Sequence, residues 1–445
     1  MGKLFKIITL GCKVNQYESA HIEECLARAG WVQAPDSDRA DVTIVNTCIV
    51  TQKAAYQSRQ AIRRCIRENP DGFTAAVGCY GQVYPEELAK IEGLDLIGGN
   101  ADKGRLPEIL LGAEAGDRPH MVTKPFQAAE PFEWLPIRRF LGRTRAFLKI
   151  QDGCQSFCSY CIVPLARGPS RSLGTHRVLE LLEKLVREGF KEVVLTGIHL
   201  GKYGSDLDPP VTLTGLLDRI GRKRLPVRIR LSSLEPNEVD SDLIAMVRSQ
   251  DWLCRHFHIP LQSGDNGILK GMNRNYRARD FAALVEQIHG RIPHVAIGVD
   301  TMAGFPGEGD RAFQNTYDLI KTLPVSYLHV FPYSPRKGTA AARFSGQVHE
   351  RLVRERTTAL RALGRQKRGA FYRTCLGETF WVLTEGRGAG PGTEVGGWVR
   401  GLSDNYLRVN FPASGPMRNR LVPVRVERME GEGLFGRITD PPPGV

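Results

Sequence analysis

Three cysteines, Cys154, Cys158 and Cys161, fall within the run Gly153-Cys154-Gln155-Ser156-Phe157-Cys158-Ser159-Tyr160-Cys161, with three residues between the first pair and two between the second. A short loop with that spacing can turn all three thiolates toward one centre. Thiolates suit zinc, copper(I) or iron-sulfur clusters, and structural zinc and electron-transfer clusters normally take four protein ligands. No fourth ligand is local: the nearest histidine is His176 and the next cysteine is Cys254. Three thiolates on a cubane cluster leave one iron open, and an open iron can bind a substrate or cofactor. A zinc site completed from afar, or three cysteines buried as small hydrophobes, are the competing readings.

A second set of cysteines is spread along the chain. Short apolar, partly β-branched runs at 6–10, 42–45 and 73–77 read as buried strands, with helical patterns at 16–29, 53–68 and 85–91 between and after them. Such βαβαβα alternation favours a parallel sheet covered by helices, whose ligands bind outside the carboxyl ends of the strands. Cys12, Cys48 and Cys79 sit just past those ends, so parallel neighbours bring them to one edge of the sheet. Gly11 and Gly78 precede two of them, where backbone freedom lets the chain turn around a bulky inorganic core. The set reads either as a second three-thiolate centre or as ordinary strand-end cysteines. Cys25, Cys65, Cys254 and Cys375 lack this context and read as structural.

The elements that must position the first loop begin at Phe147. Candidate strands at 147–151, 193–196, 228–231, 257–259, 296–301 and 327–331 are separated by segments long enough for crossover helices. Six βα units imply a partial TIM-like barrel, which carries its working residues at the C-terminal ends of its strands. Polar or glycine-rich text stands at those ends: the cysteine loop, Thr196-Gly197, 232–235, 260–264, 303–308 and 332–339. Ahead of the barrel, periodicity fades over 112–143, a linker or surface loop whose basic end, 138–145, reads equally as a solvated face or a phosphate track. Behind it, 349–373 carries a helical stripe with eight basic residues against Glu350 and Glu355, a phosphate-contacting flank. Residues 377–438 hold short β-rich runs at 379–384, 407–411 and 421–426 broken by Gly and Pro, and read as a small β-barrel, either a cap or an RNA-binding module.

Composition bounds the partners. A chain of 445 residues is long enough for about two to four domains, each with its own core, and Lys plus Arg at 61 against Asp plus Glu at 48 leaves a formal charge of +13. That surplus fits a polyanion such as nucleic acid as well as a merely soluble basic protein. Ten cysteines in so long a chain are too few and irregular for a disulfide scaffold, which favours metal or redox chemistry in a reducing compartment. The first ten residues lack a signal-peptide core and no apolar stretch is long enough to span a bilayer, so the expectation is a cytoplasmic protein without membrane contact.

Cys-x-x-x-Cys-x-aromatic-Cys, with Tyr160 as the aromatic, resembles the radical S-adenosylmethionine (SAM) motif. Nearly the whole chain resembles the radical SAM methylthiotransferases, through 9–19 (Thr-Leu-Gly-Cys-Lys-Val-Asn-Gln-Tyr-Glu-Ser), 45–48 (Val-Asn-Thr-Cys) and Gly78-Cys79-Tyr80. The resemblance implies a methylthiotransferase domain at 1–117, a linker at 118–143, a radical SAM core at 144–373 and a TRAM-like β-barrel at 374–439. It also implies two [4Fe-4S] clusters, one on Cys154, Cys158 and Cys161 that cleaves SAM, and an auxiliary one on Cys12, Cys48 and Cys79 that carries sulfur. SAM contacts are expected at Thr196, Gly197, Gln262, Asp300, Gly304 and Gly307, from their places on the barrel. The family methylthiolates isopentenyl-adenosine or threonylcarbamoyl-adenosine in tRNA, or an aspartate of ribosomal protein S12. The wording of 11–16, 146–154 and 329–334 is most similar to the threonylcarbamoyl branch. Implied partners are a tRNA anticodon loop, a low-potential electron donor such as flavodoxin or ferredoxin, and a sulfur source. A non-enzymatic RNA-binding iron-sulfur protein is the alternative of a different class. One local departure from the family pattern is Gly309-Asp310-Arg311 after Glu308, where Thr followed by acidic residues is expected.

Overall fold

The computed structural model describes residues 3–35, 39–112, 119–128, 131–135, 137, 143–387, 397–413, 415 and 417–440. Its N-terminal sheet has six parallel strands in the order Val32–Gln33, Leu4–Thr9, Val42–Thr47, Phe73–Gly78, Leu96–Gly98, His120–Val122. Three of these are only two or three residues long, too short to show periodicity, so the sequence reveals only the other three. His120–Val122 lies inside the stretch expected to be linker, and instead extends the sheet by pairing with Leu96–Gly98. Successive residues alternate between two cores: Ile44, Ala75 and Val77 pack against Ile22 and Leu26, while Val45 and Ala76 pack against Ile62. Both faces are therefore covered by helices, a three-layer α/β unit.

Two helices of this unit start at the working edge. Thr51 caps Gln52–Glu68 by accepting from the Ala54 N–H at 3.0 Å. Cys12 occupies the same capping position for Lys13–Arg28 but makes no side-chain cap bond, which leaves its thiol to other uses. The far side of that helix belongs to the next domain, since Tyr17 and Ala20 are part of the barrel core.

Six parallel strands form the central region as two three-stranded sheets, Ala146–Lys149, Glu192–Thr196 and Arg228–Leu231, then His256–His258, Ala296–Ala303 and Tyr327–Pro332. A parallel bridge between Ile229 and Leu253 joins the two, giving an open, TIM-like half barrel wrapped by crossover helices. The first expected strand is interrupted at Ile150, and Gln151–Asp152 turns aside to pair antiparallel with Arg171–Ser172. The helix Glu350–Thr374 closes this region, with His349 Nδ1 accepting from the Arg351 N–H.

The C-terminal strands Thr379–Arg387, Trp398–Ser403, Arg408–Pro412, Leu421–Glu430 and Gly433–Ile438 form a closed barrel around Val382, Val409, Phe411, Val424 and Leu434. It docks on the central region through arginines: Arg228 donates to the carbonyls of Trp381 and Leu402, and Arg230 to those of Ser403 and Asp404. No helix among the described residues is long and apolar enough to cross a membrane.

Candidate active site

Strand register brings the N-terminal cysteines together. Leu4–Thr9, Val42–Thr47 and Phe73–Gly78 are consecutive neighbours, with Thr9 opposite Asn46 and Thr47 opposite Gly78, so Cys12, Cys48 and Cys79 leave adjacent strand ends about 5 Å apart. Gly11 (φ +98°) packs so closely that a Cβ there would lie 2.8 Å from Cys48 Cβ and 3.0 Å from its Sγ. At Gly78 (φ +97°) a Cβ would meet Asn46 Oδ1 at 2.5 Å. Both glycines are required by left-handed backbone and by contact. Asn100 Nδ2 reaches Cys79 Sγ at 3.4 Å, and the Cys12 thiol points to Asn15 Oδ1 at 3.8 Å. Burial, then the neighbouring Cys79, pushes the Cys48 thiol up to about 12, so a bound metal must displace its proton.

The second triad sits on a loop held from several sides. Gly153 (φ +74°) admits Pro169 O where a Cβ would lie 1.8 Å away, and the Cys154 N–H donates to Gly168 O at 3.1 Å. Asn273 Nδ2 donates to the carbonyls of Ser156 and Phe157, and Ser159 Oγ to Gly271 O. The thiols meet charged partners. His199 Nδ1 is 3.5 Å from Cys154 Sγ and its Nε2 is 2.6 Å from Glu238 Oε1; Arg274 Nη1 donates to Cys158 Sγ at 3.2 Å and its Nη2 pairs with Glu235. Burial alone would raise the Cys154 thiol, but the His199 and Ser156 contacts bring it below its ordinary value. Burial raises Cys158 despite Arg274, and raises Cys161 to about 12.

Between the triads runs a buried ionic network. Glu18, on the N-terminal helix, pairs with Lys103, with Lys149 at 3.3 Å and with Arg167 at 2.9 Å. Asp152 pairs with Lys149, Arg167 and Arg171, and Arg167 Nη2 donates to Asn15 Oδ1 at 2.6 Å. Four cations thus face two carboxylates in a buried zone beside Cys12, Cys48 and Cys79. Such a surplus is costly unless anions compensate it, and three thiolates with their cluster are anionic. The donor set fits an iron-sulfur centre at each triad. The remaining cysteines lie elsewhere: Cys25 against His21, Cys65 in the N-terminal core, Cys254 near Arg230 and Cys375 in the small-barrel core.

The two halves meet at a cavity of about 230 Å³ lined by Val50 and Thr51 from one side and by Tyr160, Cys161, Gln262, Asp300, Met302 and Tyr333 from the other. Gln262 and Asp300, two of the expected SAM contacts, thus share this cavity with Cys161. Gly304 and Gly307 form a turn whose N–H groups are committed to Glu308 Oε1 and to Gly346 O. That turn carries Phe305, against which the motif aromatic Tyr160 packs edge-on at 6.5 Å. Thr196 is buried at its strand end, and Gly197 leaves room for Gln151, whose amide donates to the carbonyls of Asp152 and Gly153 at the start of the loop. At the departure from the family pattern, Asp310 is held by Arg356, which also binds Glu308.

Sequence reasoning reached the loops that carry His199 and Glu235 but missed His199, Glu238, Arg274 and Arg167. His199 stands three residues past Thr196, inside a loop already marked by its strand end. Arg167 ends one short helix and Arg274 follows another, and only tertiary contact shows their role. The expected phosphate track is partly corrected: Arg145 is committed to Glu385 and Glu192, and positions 138–142 lie outside the described residues. On the long helix Arg356 and Lys367 are likewise committed inward, while Arg351, Arg354, Arg361, Arg365 and Arg373 remain exposed.

Residues 4–99 match an uncharacterized protein family, UPF0004, and residues 148–320 match the radical SAM superfamily. The chain is 38% identical over 436 residues to the threonylcarbamoyladenosine tRNA methylthiotransferase MtaB of Bacillus subtilis, spanning 97% of this chain and 96% of that protein. It is 34% identical over 445 residues to the tRNA-2-methylthio-N(6)-dimethylallyladenosine synthase of Moorella thermoacetica, spanning 98% and 99%. In fold it is similar to the radical S-adenosylmethionine methyltransferase TsrM of Kitasatospora setae, with a TM-score of 0.55 at 16% identity over 74% of this chain and 73% of that one. Two cysteine triads on two domains, and full-length likeness to enzymes of one kind, lead to the same place: the chain belongs to the radical SAM tRNA methylthiotransferase family.

Proposed function

We propose that this transferase methylthiolates C2 of N6-threonylcarbamoyladenosine at position 37 of tRNA, giving 2-methylthio-N6-threonylcarbamoyladenosine. The observation that carries the reading is the cavity between the domains, which touches Cys161 on one wall and the Val50-Thr51 segment beside Cys48 on the other. A reacting base placed there is open to both centres at once. Likeness to relatives named for the threonylcarbamoyl substrate supports the choice of base.

Cys154, Cys158 and Cys161 would hold one [4Fe-4S] cluster, and Cys12, Cys48 and Cys79 the other. When bound, the clusters and SAM would supply the one-electron chemistry and the methylthio sulfur. The chain's own residues do the rest. Gln262 and Asp300, which line the cavity with Cys161, would contact SAM, and Thr196 and Gly197 hold the loop in place through Gln151. The turn from Gly304 to Gly307 supports Tyr160 from below. Val50, Met302 and Tyr333 narrow the cavity and limit water around a reactive intermediate. Exposed Arg354, Arg361, Arg365 and Arg373 meet tRNA phosphates with salt-sensitive affinity, and an anticodon-loop base is already largely unpaired. A low-potential donor such as flavodoxin or ferredoxin approaches where Cys154, Phe157 and Leu165 line an open cleft. A separate sulfur source would replace the sulfur consumed in each turnover.

Anaerobic turnover with two tRNAs, one threonylcarbamoylated and one isopentenylated, tests the assignment by nucleoside mass spectrometry. Methylthio product on the first is expected; product on the second alone would move the enzyme to the isopentenyl branch.

A further inference from the structure

Among the described residues, the arginines facing the barrel interior are matched by acceptors. Glu192 accepts from Arg228 Nε at 2.6 Å and Arg230 Nε at 2.8 Å, and Arg145 pairs with Glu385 at 2.8 Å. The remaining N–H groups of Arg228 and Arg230 reach carbonyls of the small barrel. Farther up, His258 Nε2 and His329 Nδ1 face Asp300 Oδ1 at 2.7 and 3.2 Å, and the Tyr327 hydroxyl lies between His256 and His258. Lys13 is different. Among the described residues it has neither a hydrogen-bond nor an ion-pair partner. It follows Cys12 at the start of its helix, within electrostatic reach of Asp300, Arg145, Arg230 and His256.

An ammonium placed among arginines without an acceptor of its own is unfavourable for the empty protein. The position becomes sensible when a ligand brings an anion. Lys13 stands four and seven residues before Tyr17 and Ala20, on the helix face that joins the barrel core, and it feels the charge of Asp300, which lines the cavity with Cys161; the lysine therefore faces the barrel beside the space a reacting base would occupy. A threonylcarbamoyl group carries a carboxylate, a hydroxyl and urea N–H groups; an isopentenyl group carries none of them. Polar groups built to meet a substrate's polar groups reject an analogue that lacks them, because they are then left unpaired.

We propose that Lys13 is a specificity residue that pairs with the carboxylate of the N6 substituent, beside the polar wall of His258 and His329, and so selects an anionic modified adenosine over an apolar one. This rests on the threonylcarbamoyl reading above.

The test uses the full-length protein with both clusters reconstituted and measures affinity for one tRNA in three states: threonylcarbamoylated, isopentenylated and unmodified at the target adenosine. Wild type is expected to prefer the threonylcarbamoylated form by about tenfold, the factor that 1.4 kcal/mol represents. Lys13→Gln should reduce that preference to about twofold or less, through weaker binding of that form alone, with iron content and cluster spectra unchanged; Lys13→Arg should restore part of it. In wild type, free threonylcarbamoyladenosine should compete and its carboxylate methyl ester should not, a readout that needs no variant to fold. A preference that survives in Lys13→Gln, or an ester that competes as well as the acid, overturns the proposal. So does a Lys13→Gln protein whose preference is intact but whose auxiliary-cluster signal shifts, because the lysine then serves the cluster. Wild type with no preference for the threonylcarbamoylated form, or product only on isopentenyl tRNA, overturns the substrate reading itself, and that failure is visible without any variant.

Discussion

Cys154, Cys158 and Cys161 come from one loop, whereas Cys12, Cys48 and Cys79 are assembled from the ends of three neighbouring strands. The loop needs little from distant sequence to gather its thiols, but the barrel around it then adds charge: His199 backed by Glu238 against one sulfur, Arg274 backed by Glu235 against another. The strand-end triad needs a whole sheet in register to exist, and its partners are the amides Asn15 and Asn100 with the buried Arg167 nearby. Exposure differs in pattern: Cys154, Cys158 and Cys161 are all half-buried, with Phe157 62% exposed beside Cys158, whereas the strand-end triad combines buried Cys48 and Cys79 with an exposed Cys12.

The comparison breaks most sharply at glycines. Gly11→Ala drives a Cβ into Cys48, and Gly153→Ala drives one into Pro169 O, both at positive φ. Each variant should lose the iron of one cluster and keep the other, and only Gly153→Ala should also lose 5'-deoxyadenosine release; iron analysis with chromatography of the nucleoside decides it. Loss of both clusters from either variant would merge the two centres into one folding unit.

Next in size is the joint between them. Glu18→Gln leaves Lys103, Lys149 and Arg167 buried with less counter-charge, and removing one partner of such a network costs about 3–5 kcal/mol. Urea unfolding should show that loss, and should show it for both domains, since Glu18 ties one to the other.

Acid provides a milder probe. Burial alone would raise the Glu192 carboxyl, yet Arg230 and Arg228 hold it down to about 2. A depressed folded-state pKa means its stabilising effect is complete above about 4.5 and is lost as pH falls toward 2, about 3 kcal/mol in all. In Glu192→Gln the stability-against-pH curve should start lower at neutral pH and be flatter across that window. An unchanged slope would show that the arginines are screened. At the small end, Arg428 pairs with Glu430 on an exposed strand, and Arg428→Ala should move stability by less than about 1 kcal/mol in the same unfolding assay.

How much of this was legible in the sequence follows from range. The cysteine loop is a local pattern, and the three longer strands before Cys12, Cys48 and Cys79 are apolar enough to show themselves, so the α/β plan and the convergence of the strand-end cysteines could be read directly, while their reading as a second centre came from the family resemblance. Val32–Gln33, Leu96–Gly98 and His120–Val122 could not, because their few residues carry no period and exist only by pairing with neighbours. The same limit hid Arg167 and Arg274, whose value lies in contacts more than a hundred residues away in the chain. Basic residues misled in the other direction: Arg145, Arg356 and Lys367 look like phosphate contacts in a charge count and are internal ties in the fold.

The central claim, two triads with separate duties at one cavity, is tested most directly by one anaerobic turnover assay on Cys48→Ala with threonylcarbamoylated tRNA, SAM and dithionite, read for both 5'-deoxyadenosine and methylthio nucleoside, with Cys158→Ala alongside. The expected result is 5'-deoxyadenosine without methylthio product from Cys48→Ala, and neither from Cys158→Ala. Methylthio product from Cys48→Ala, or 5'-deoxyadenosine from Cys158→Ala at the wild-type level, would contradict it.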